Sequence, residues 1–290
     1  MRQDANGRFQ TWTACVDLTR QVLVPTAPGR DAGWAVWSPG GTRIAFNANF
    51  DDPDLEDGLE IWDIYTMDPD GANVVRLTHS AGLYGDPGYS PDGTLIAFDS
   101  TVEGSKGIHV MSAVDGSGTR SVTGLPDGVT TAFAPRFSPD GTEIVFTGVF
   151  DERSGALYVV GLDGSGLRRI TPTTLSPDKA AWSPTSGSIV FDASSDPFPF
   201  QSLWTVRPDG TALTSLMAEL VGATESRDGF SAPTWSPDGS LILLVHGQHH
   251  ADGTVTTRLS TVRPGGTQLR DVSDGTHDDA VKPDWRAAPC

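Results

Sequence analysis

The chain writes one phrase five times and part of it a sixth. Trp37 opens WSPGGTRIAF, Tyr89 opens YSPDGTLIAF and Phe137 opens FSPDGTEIVF. Trp182 opens WSPTSGSIVF, Trp235 opens WSPDGSLILLV, and Trp285 stands in the truncated copy KPDWRAAP. These aromatics are 52, 48, 45, 53 and 50 residues apart. A period of this size means one supersecondary unit, repeated because a single copy cannot bury its apolar faces alone. Within the phrase, Pro fixes φ and Gly accepts a positive φ, so Ser-Pro-Asp-Gly reads as a tight turn. The apolar run behind it, such as Ile96-Ala97-Phe98, reads as a short buried strand. The phrase is a hairpin.

A second hairpin lies between copies. It reads DIYTMDPDGANVVRLT at 63–78, IHVMSAVDGSGTRSVT at 108–123 and ALYVVGLDGSGLRRIT at 156–171. The fourth and fifth are SLWTVRPDGTALTSL at 202–216 and RLSTVRPGGTQLRDV at 258–272. Each period therefore holds four strands, A to D, with almost no helical periodicity. This pattern predicts an all-β fold, a six-bladed β-propeller with four-stranded antiparallel blades, spanning 1–290 as a single domain. The last copy supplies only a strand A, and Ala14-Cys15-Val16-Asp17 aligns with Tyr65-Thr66-Met67-Asp68 of strand C. The expected closure pairs N-terminal strands with the C-terminal strand in one blade. Cys15 and Cys290 both fall in that blade, as a disulfide staple or as two free thiols.

Three stretches carry a family likeness. Aromatic-Ser-Pro-Asp-Gly-x-x-Ile-Ala-Phe at 89–98, Asp-Ile-Tyr-x-Met-x-x-Asp-Gly at 63–71 and Arg-Leu-Thr at 76–78 resemble the TolB-like propeller repeat. The likeness extends over nearly the whole chain. Blade four departs from it with Ser-Pro-Thr-Ser-Gly, and blade one with Gly-Gly. Neither the N-terminal α/β domain of TolB nor the hydrolase domain of prolyl-oligopeptidase-type enzymes is recognisable, and no Ser has Gly two residues before and after it. The resemblance implies a binding scaffold that presents loops around a central channel to a protein or peptide. Some propellers with this repeat resemble polysaccharide lyases that use channel-face His and metal. The alternative is therefore a channel-face lyase or hydrolase, since fold alone does not choose.

Lys and Arg number 20 against 37 Asp and Glu, a net charge of −17. That balance argues against nucleic acid and anionic membrane surfaces as partners. No apolar run is long enough for a membrane helix, and a soluble monomer is expected. The first thirty residues lack the apolar core of a signal peptide. The expected location is periplasmic or secreted if a signal has been removed, and cytoplasmic otherwise.

Short Asp-Gly turns crowd one face of such a ring, and the longer D–A and B–C loops crowd the other, where function concentrates. Asn47, Asp99, Thr147 and Asp192 follow the strand B cores, with His246 near the equivalent place in blade five. Asp86, Asp178 and Lys282 enter strand A at the channel mouth. These eight are the candidate binding residues, against the plainer expectation of a water-filled channel with no specific ligand. His246, His249, His250, His277, Asp278 and Asp279 form a candidate site for a divalent metal ion, the one cofactor the sequence suggests. Their spacing matches no known metal motif, and solvated loop side chains are the alternative. Asp51, Asp52, Asp54, Glu56 and Asp57 resemble part of a calcium loop, with its Gly displaced and no distal Glu. Phe198 and Phe200 suggest an apolar contact patch beside the channel, the alternative being that they tuck against Trp204.

Overall fold

A computed structural model describes residues 31–50, 61–79, 82–102, 104–195, 198–216, 228–250, 252, 254–273 and 283–285, with four dipeptides nearer the N terminus. The dipeptides are β1 (Arg2–Gln3), β2 (Phe9–Gln10), β3 (Trp12–Thr13) and β4 (Val22–Leu23), paired as β1–β2 and β3–β4. Blade one follows as β5 (Ala32–Trp37), β6 (Ile44–Ala48), β7 (Asp63–Met67) and β8 (Val75–Arg76). Blade two is β9 (Tyr84–Tyr89), β10 (Leu95–Ser100), β11 (Gly107–Ser112) and β12 (Arg120–Thr123). Blade three is β13 (Thr131–Phe137), β14 (Glu143–Asp151), β15 (Ser154–Gly161) and β16 (Arg168–Arg169). Blade four is β17 (Ser176–Trp182), β18 (Ile189–Ser195), β19 (Phe198–Val206) and β20 (Thr214–Ser215). Blade five is β21 (Gly229–Trp235), β22 (Ile242–His249), β23 (Val255–Val262) and β24 (Arg270–Asp271). Every blade is antiparallel, with its strands side by side in chain order.

Among the described residues there are five four-stranded blades, and the six-bladed expectation is corrected accordingly. Residues 283–285 form no strand, and neither N-terminal ladder pairs with them. The reason is local. Trp285 is followed by Arg-Ala in place of the Ser-Pro-Asp-Gly turn, whose Ser and Asp start the return strand in the other copies. The C-terminal segment instead bridges the first and last blades with a side chain. The Asp284 carboxylate accepts the Trp37 N–H at 2.8 Å and faces the Thr234 hydroxyl at 3.5 Å. Cys15, Cys290 and the acidic loop of Asp51 to Asp57 lie outside the described residues.

The repeated phrase works as its residues suggest. Ser90, Ser138 and Ser236 each donate a side-chain hydrogen bond to the turn Asp, at 2.6 Å. The same hydroxyls accept the N–H of Leu95, Glu143 and Leu241, which starts the return strand in register. The Thr of Arg-Leu-Thr has a matching job. Thr78 and Thr171 accept the N–H of Ile64 and Leu157 on strand C, and Ser273 does so for Leu259.

The core is built between blades. Val36, Ala45 and Ile64 of blade one pack with Ile96, Phe98 and Met111 of blade two. Ile108 and Val110 pack with Phe146 and Tyr158 across the next boundary. Val145 and Leu157 then meet Phe191, and Val190 and Leu203 meet Phe230 and Leu244. Phe46, Phe98, Phe146 and Phe191 occupy the same place on strand B and are fully buried. Each such side chain contributes about 1.5–3 kcal/mol.

The C–D turns carry a backbone cost in three blades, in blade one at Asn73 with φ 50°. Ala212 and Gln268 sit at φ 54° and 58°, where the matching residue of blade three is Gly166 at 64°. A Cβ there adds strain of about 1 kcal/mol. Ala212→Gly is expected to raise the melting temperature by about 2–4 °C, and Gly166→Ala, which has open space around it, to lower it similarly. Calorimetry of both variants checks this, and unchanged melting of both would contradict it.

Candidate functional site

Every inner strand is broken at one place. The ladder between strands A and B slips at residues 33–36, 85–88, 133–136, 177–180 and 231–234. Each slip brackets the residue three positions before the repeat aromatic, namely Trp34, Asp86, Ala134, Lys179 and Ala232. Four of these have positive φ: Trp34 45°, Asp86 45°, Ala134 54° and Ala232 49°. A bulge re-aims side chains, and strain in bulky residues persists only where surrounding structure enforces it. Here the enforcement is close approach of neighbouring inner strands. A Cβ on Gly88 would stand 2.8 Å from the Pro135 carbonyl oxygen of the next blade.

The re-aimed side chains meet across the ring. Lys179 of blade four lies with its ammonium 3.4 Å from Asp86 Oδ2 of blade two and 3.2 Å from Asp178 Oδ1. It passes the intervening blade over the Phe133 ring, 4.9 Å from the centroid, and sits 5.9 Å from the Trp34 ring of blade one. Ala134, the equivalent residue of blade three, has nothing beyond Cβ to obstruct it. Trp34 packs edge-on against Trp62 at 6.1 Å. Arg136 donates to the carbonyl oxygens of Asp86 (3.2 Å) and Pro135 (2.7 Å), placing a second cation beside the cluster. Cation–π contacts of this kind add about 0.5–2 kcal/mol as water is excluded.

Strand B supplies the floor. Asn47, Asp99, Thr147 and Asp192 are all buried, at one repeated position. Thr147 donates to the Asp178 carbonyl oxygen at 2.9 Å, tying blade three to the inner strand of blade four. Asp192 is fully buried, and its Oδ1 accepts the Lys179 backbone N–H at 3.1 Å. Its Oδ2 and the Oδ1 of Asn47 accept no hydrogen bond from any described residue. Burial, reinforced by the neighbouring Asp178 charge, pushes the Asp192 carboxyl up to about 8 against the opposing pull of Lys179. Burial pulls the Lys179 ammonium down, but Asp86, Asp178 and Asp192 outweigh it and hold it above the usual lysine value. Exposure falls from the Asp178 side chain (41%) through Lys179 (16%) to Asp86 (9%), so the cluster opens to solvent on the Asp178 side.

His246 is held by carboxylates of blade five. Its ring stacks on Phe230 at 4.8 Å, with Nε2 3.2 Å from Asp228 and Nδ1 3.5 Å from Asp271. Ser260 and Arg258 also bond Asp271. Burial raises the Asp271 carboxyl, but Ser260, His246 and Arg258 together hold it below the usual range. His250 Nε2 is 2.7 Å from the Thr256 hydroxyl, and His249 ends β22 opposite Val255. Among the described residues no three His, Cys, Asp or Glu converge as a metal site. His277, Asp278, Asp279 and Lys282 lie outside the described residues, as do the side chains of Phe198 and Phe200.

Sequence pattern singles out Asp86 and Asp178 but gives no direct sign of Lys179, Trp34 or Phe133. The signal was the offset: counting three residues back from each repeat aromatic finds Trp34, Asp86 and Lys179 together. Lys282 stands at the same offset from Trp285.

The state of Asp192 sets a pH dependence. Between about pH 4 and pH 8 the folded protein keeps a proton that the unfolded chain releases, so stability falls as pH rises. The slope from this group reaches at most about 1.4 kcal/mol per pH unit. Asp192→Asn, which cannot ionise, is expected to gain stability relative to the parent between pH 5 and pH 8. Urea melts at several pH values check this, and parallel curves for the two proteins would show that Asp192 is already ionised.

No protein-family model matches the chain. Over 90 residues it is 37% identical to an uncharacterized protein of Agrobacterium fabrum, covering 31% of this chain and 28% of that protein. Over 77 residues it is 38% identical to a TolB homolog of Chlorobaculum tepidum, covering 27% of this chain and 16% of that protein. The matches thus span less than a third of these curated relatives. The solved structure of a protein described as a putative TolB from Agrobacterium tumefaciens superposes with a TM-score of 0.72 at 20% identity, over 92% of this chain and 88% of that one. An oligogalacturonate lyase in complex with manganese superposes with a TM-score of 0.63 at 15% identity, over 91% and 72%. In repeat and in fold, the chain is similar to TolB-type β-propellers.

Proposed function

We propose that the chain is a non-catalytic binding propeller that presents the loop-bearing mouth of its channel to a protein or peptide. The observation that carries this reading is the axial cluster of Trp34, Asp86, Phe133, Asp178 and Lys179, preformed and open on the Asp178 side. Preorganised polar groups among aromatic faces are what recognition sites are made of. The group with the most perturbed ionisation, Asp192, is fully buried beneath the cluster and out of reach of a substrate as an acid.

A second reading, a metal-dependent channel-face lyase or hydrolase, is favoured by the likeness to the manganese-bound oligogalacturonate lyase. It would draw on His246, His249, His250, His277, Asp278 and Asp279. Against it, both His246 nitrogens already face carboxylates, and His250 Nε2 faces Thr256.

Selection of displayed peptides against the immobilised protein tests the first reading. Selected peptides are expected to protect backbone amides near Trp34, Asp86 and Lys179 from hydrogen exchange, and Trp34→Ala with Lys179→Ala to weaken them by about tenfold or more. Protection confined to the Asp-Gly turn face would overturn it. Stoichiometric manganese or zinc in the purified protein, with release of unsaturated products from polygalacturonate, would favour the second reading instead.

A further inference from the structure

Asp86, Asp178 and Asp192 stand against two cations, Lys179 and Arg136. The buried Asp99 lies in the same floor, so when all are ionised the carboxylates outnumber the cations. Oδ2 of Asp192, on a fully buried side chain, accepts no hydrogen bond from any described residue. The same is true of Asn47 Oδ1 in blade one. The Asn47 oxygen can only accept, and Asp192 Oδ2 lacks a donor whenever its carboxyl is ionised. Strands β19 and β21, which pack beside β18, carry no charged side chain. The aromatic faces of Phe133 and Trp34 already attract one ammonium, from Lys179.

Resting on the binding reading above, we propose that the axial cluster is a receptor for a second organic cation, the ammonium or guanidinium group of a basic peptide. An ammonium brings three donors and a guanidinium five, with no acceptor to clash with the carboxylates. An anionic ligand would meet the carboxylates of Asp86 and Asp178, and a neutral one would bring no charge to offset them. The charged groups facing Asp192 are Asp178 and Lys179 of its own blade, with Asp86 beyond them. A bound cation joins Lys179 in favouring the ionised carboxylate, so binding at pH 7 expels the Asp192 proton to the buffer. The mouth at Asp178 gives the entry route.

The test uses alanine pentapeptides, acetylated and amidated, with Lys, Arg, norleucine or Glu at the centre, and an amidated alanine pentapeptide with a free amino end. Each is titrated calorimetrically into the full chain in two buffers of different ionisation enthalpy. The Lys or Arg peptide, or the one with a free amino end, is expected to bind about tenfold tighter than the norleucine peptide. Proton release is expected in the parent and not in Asp192→Asn. Asp178→Asn, on the exposed rim, is expected to weaken the cationic peptides selectively, and keeps the test decisive if Asp192→Asn does not fold. Equal affinity for the Lys, norleucine and Glu peptides overturns the cation receptor while leaving the peptide-binding reading intact. No binding of any peptide, or binding of calcium ions alone, overturns both.

Discussion

A blade of this protein is apolar on both faces, and no blade can bury both by itself. Strands β6 and β7 are buried along their whole length, although alternate residues point to opposite sides. Each sheet is therefore stable only as a layer between two others. Where the layers meet, an indole adds direction to the packing. Trp182 donates to the Arg136 carbonyl oxygen at 3.0 Å, and Trp235 to that of Ala181 at 3.2 Å. These bonds fix how far each inner strand advances past the last, and the positions of the bulges follow from that.

The same constraint explains the acid–base character of the centre. Successive inner strands bring short stretches of several blades close together, with little water between them. Charges that would be ordinary on a surface become costly unless they find each other. Lys179 finds Asp86 and Asp178, while Asp192 holds its proton instead. The turn carboxylates at the rim show the opposite behaviour. Hydrogen bonds from Ser236, and from the backbone and side chain of Ser240, hold the exposed Asp238 carboxyl down at about 2. One chain thus spreads its aspartates over a wide range of ionisation, according to water and donors at each place.

Much of this architecture could be read from local chemistry. Pro, Asp and Gly fix the turns through backbone restrictions, and the apolar triplets behind them mark strand B. Those preferences are short-range and act the same way in every copy. Blade number was harder, because Trp285 has the form of a repeat aromatic but lacks the residues that make a ladder behind it. The axial cluster was half legible. Asp86 and Asp178 are polar residues at the start of a strand, which already looks anomalous. Lys179 acquires its meaning only when a bulge turns it toward a carboxylate 93 residues away, and no sequence-local rule contains that contact. His246 shows the reverse: histidines close in sequence suggested a shared ligand, yet this one is enclosed by the carboxylates of its own sheet.

The bulge has a consequence for how such a ring can change. Read in chain order, the offset position spells Trp, Asp, Ala, Lys, Ala, one letter per blade. The backbone bend at each letter tolerates an indole in blade one and a lone methyl in blades three and five, so its shape is not set by the side chain. The letters are therefore separable from the scaffold that displays them. Alphabet and page are separable wherever there is room for a larger letter, whereas the methyl of Ala134 keeps the path of Lys179 clear.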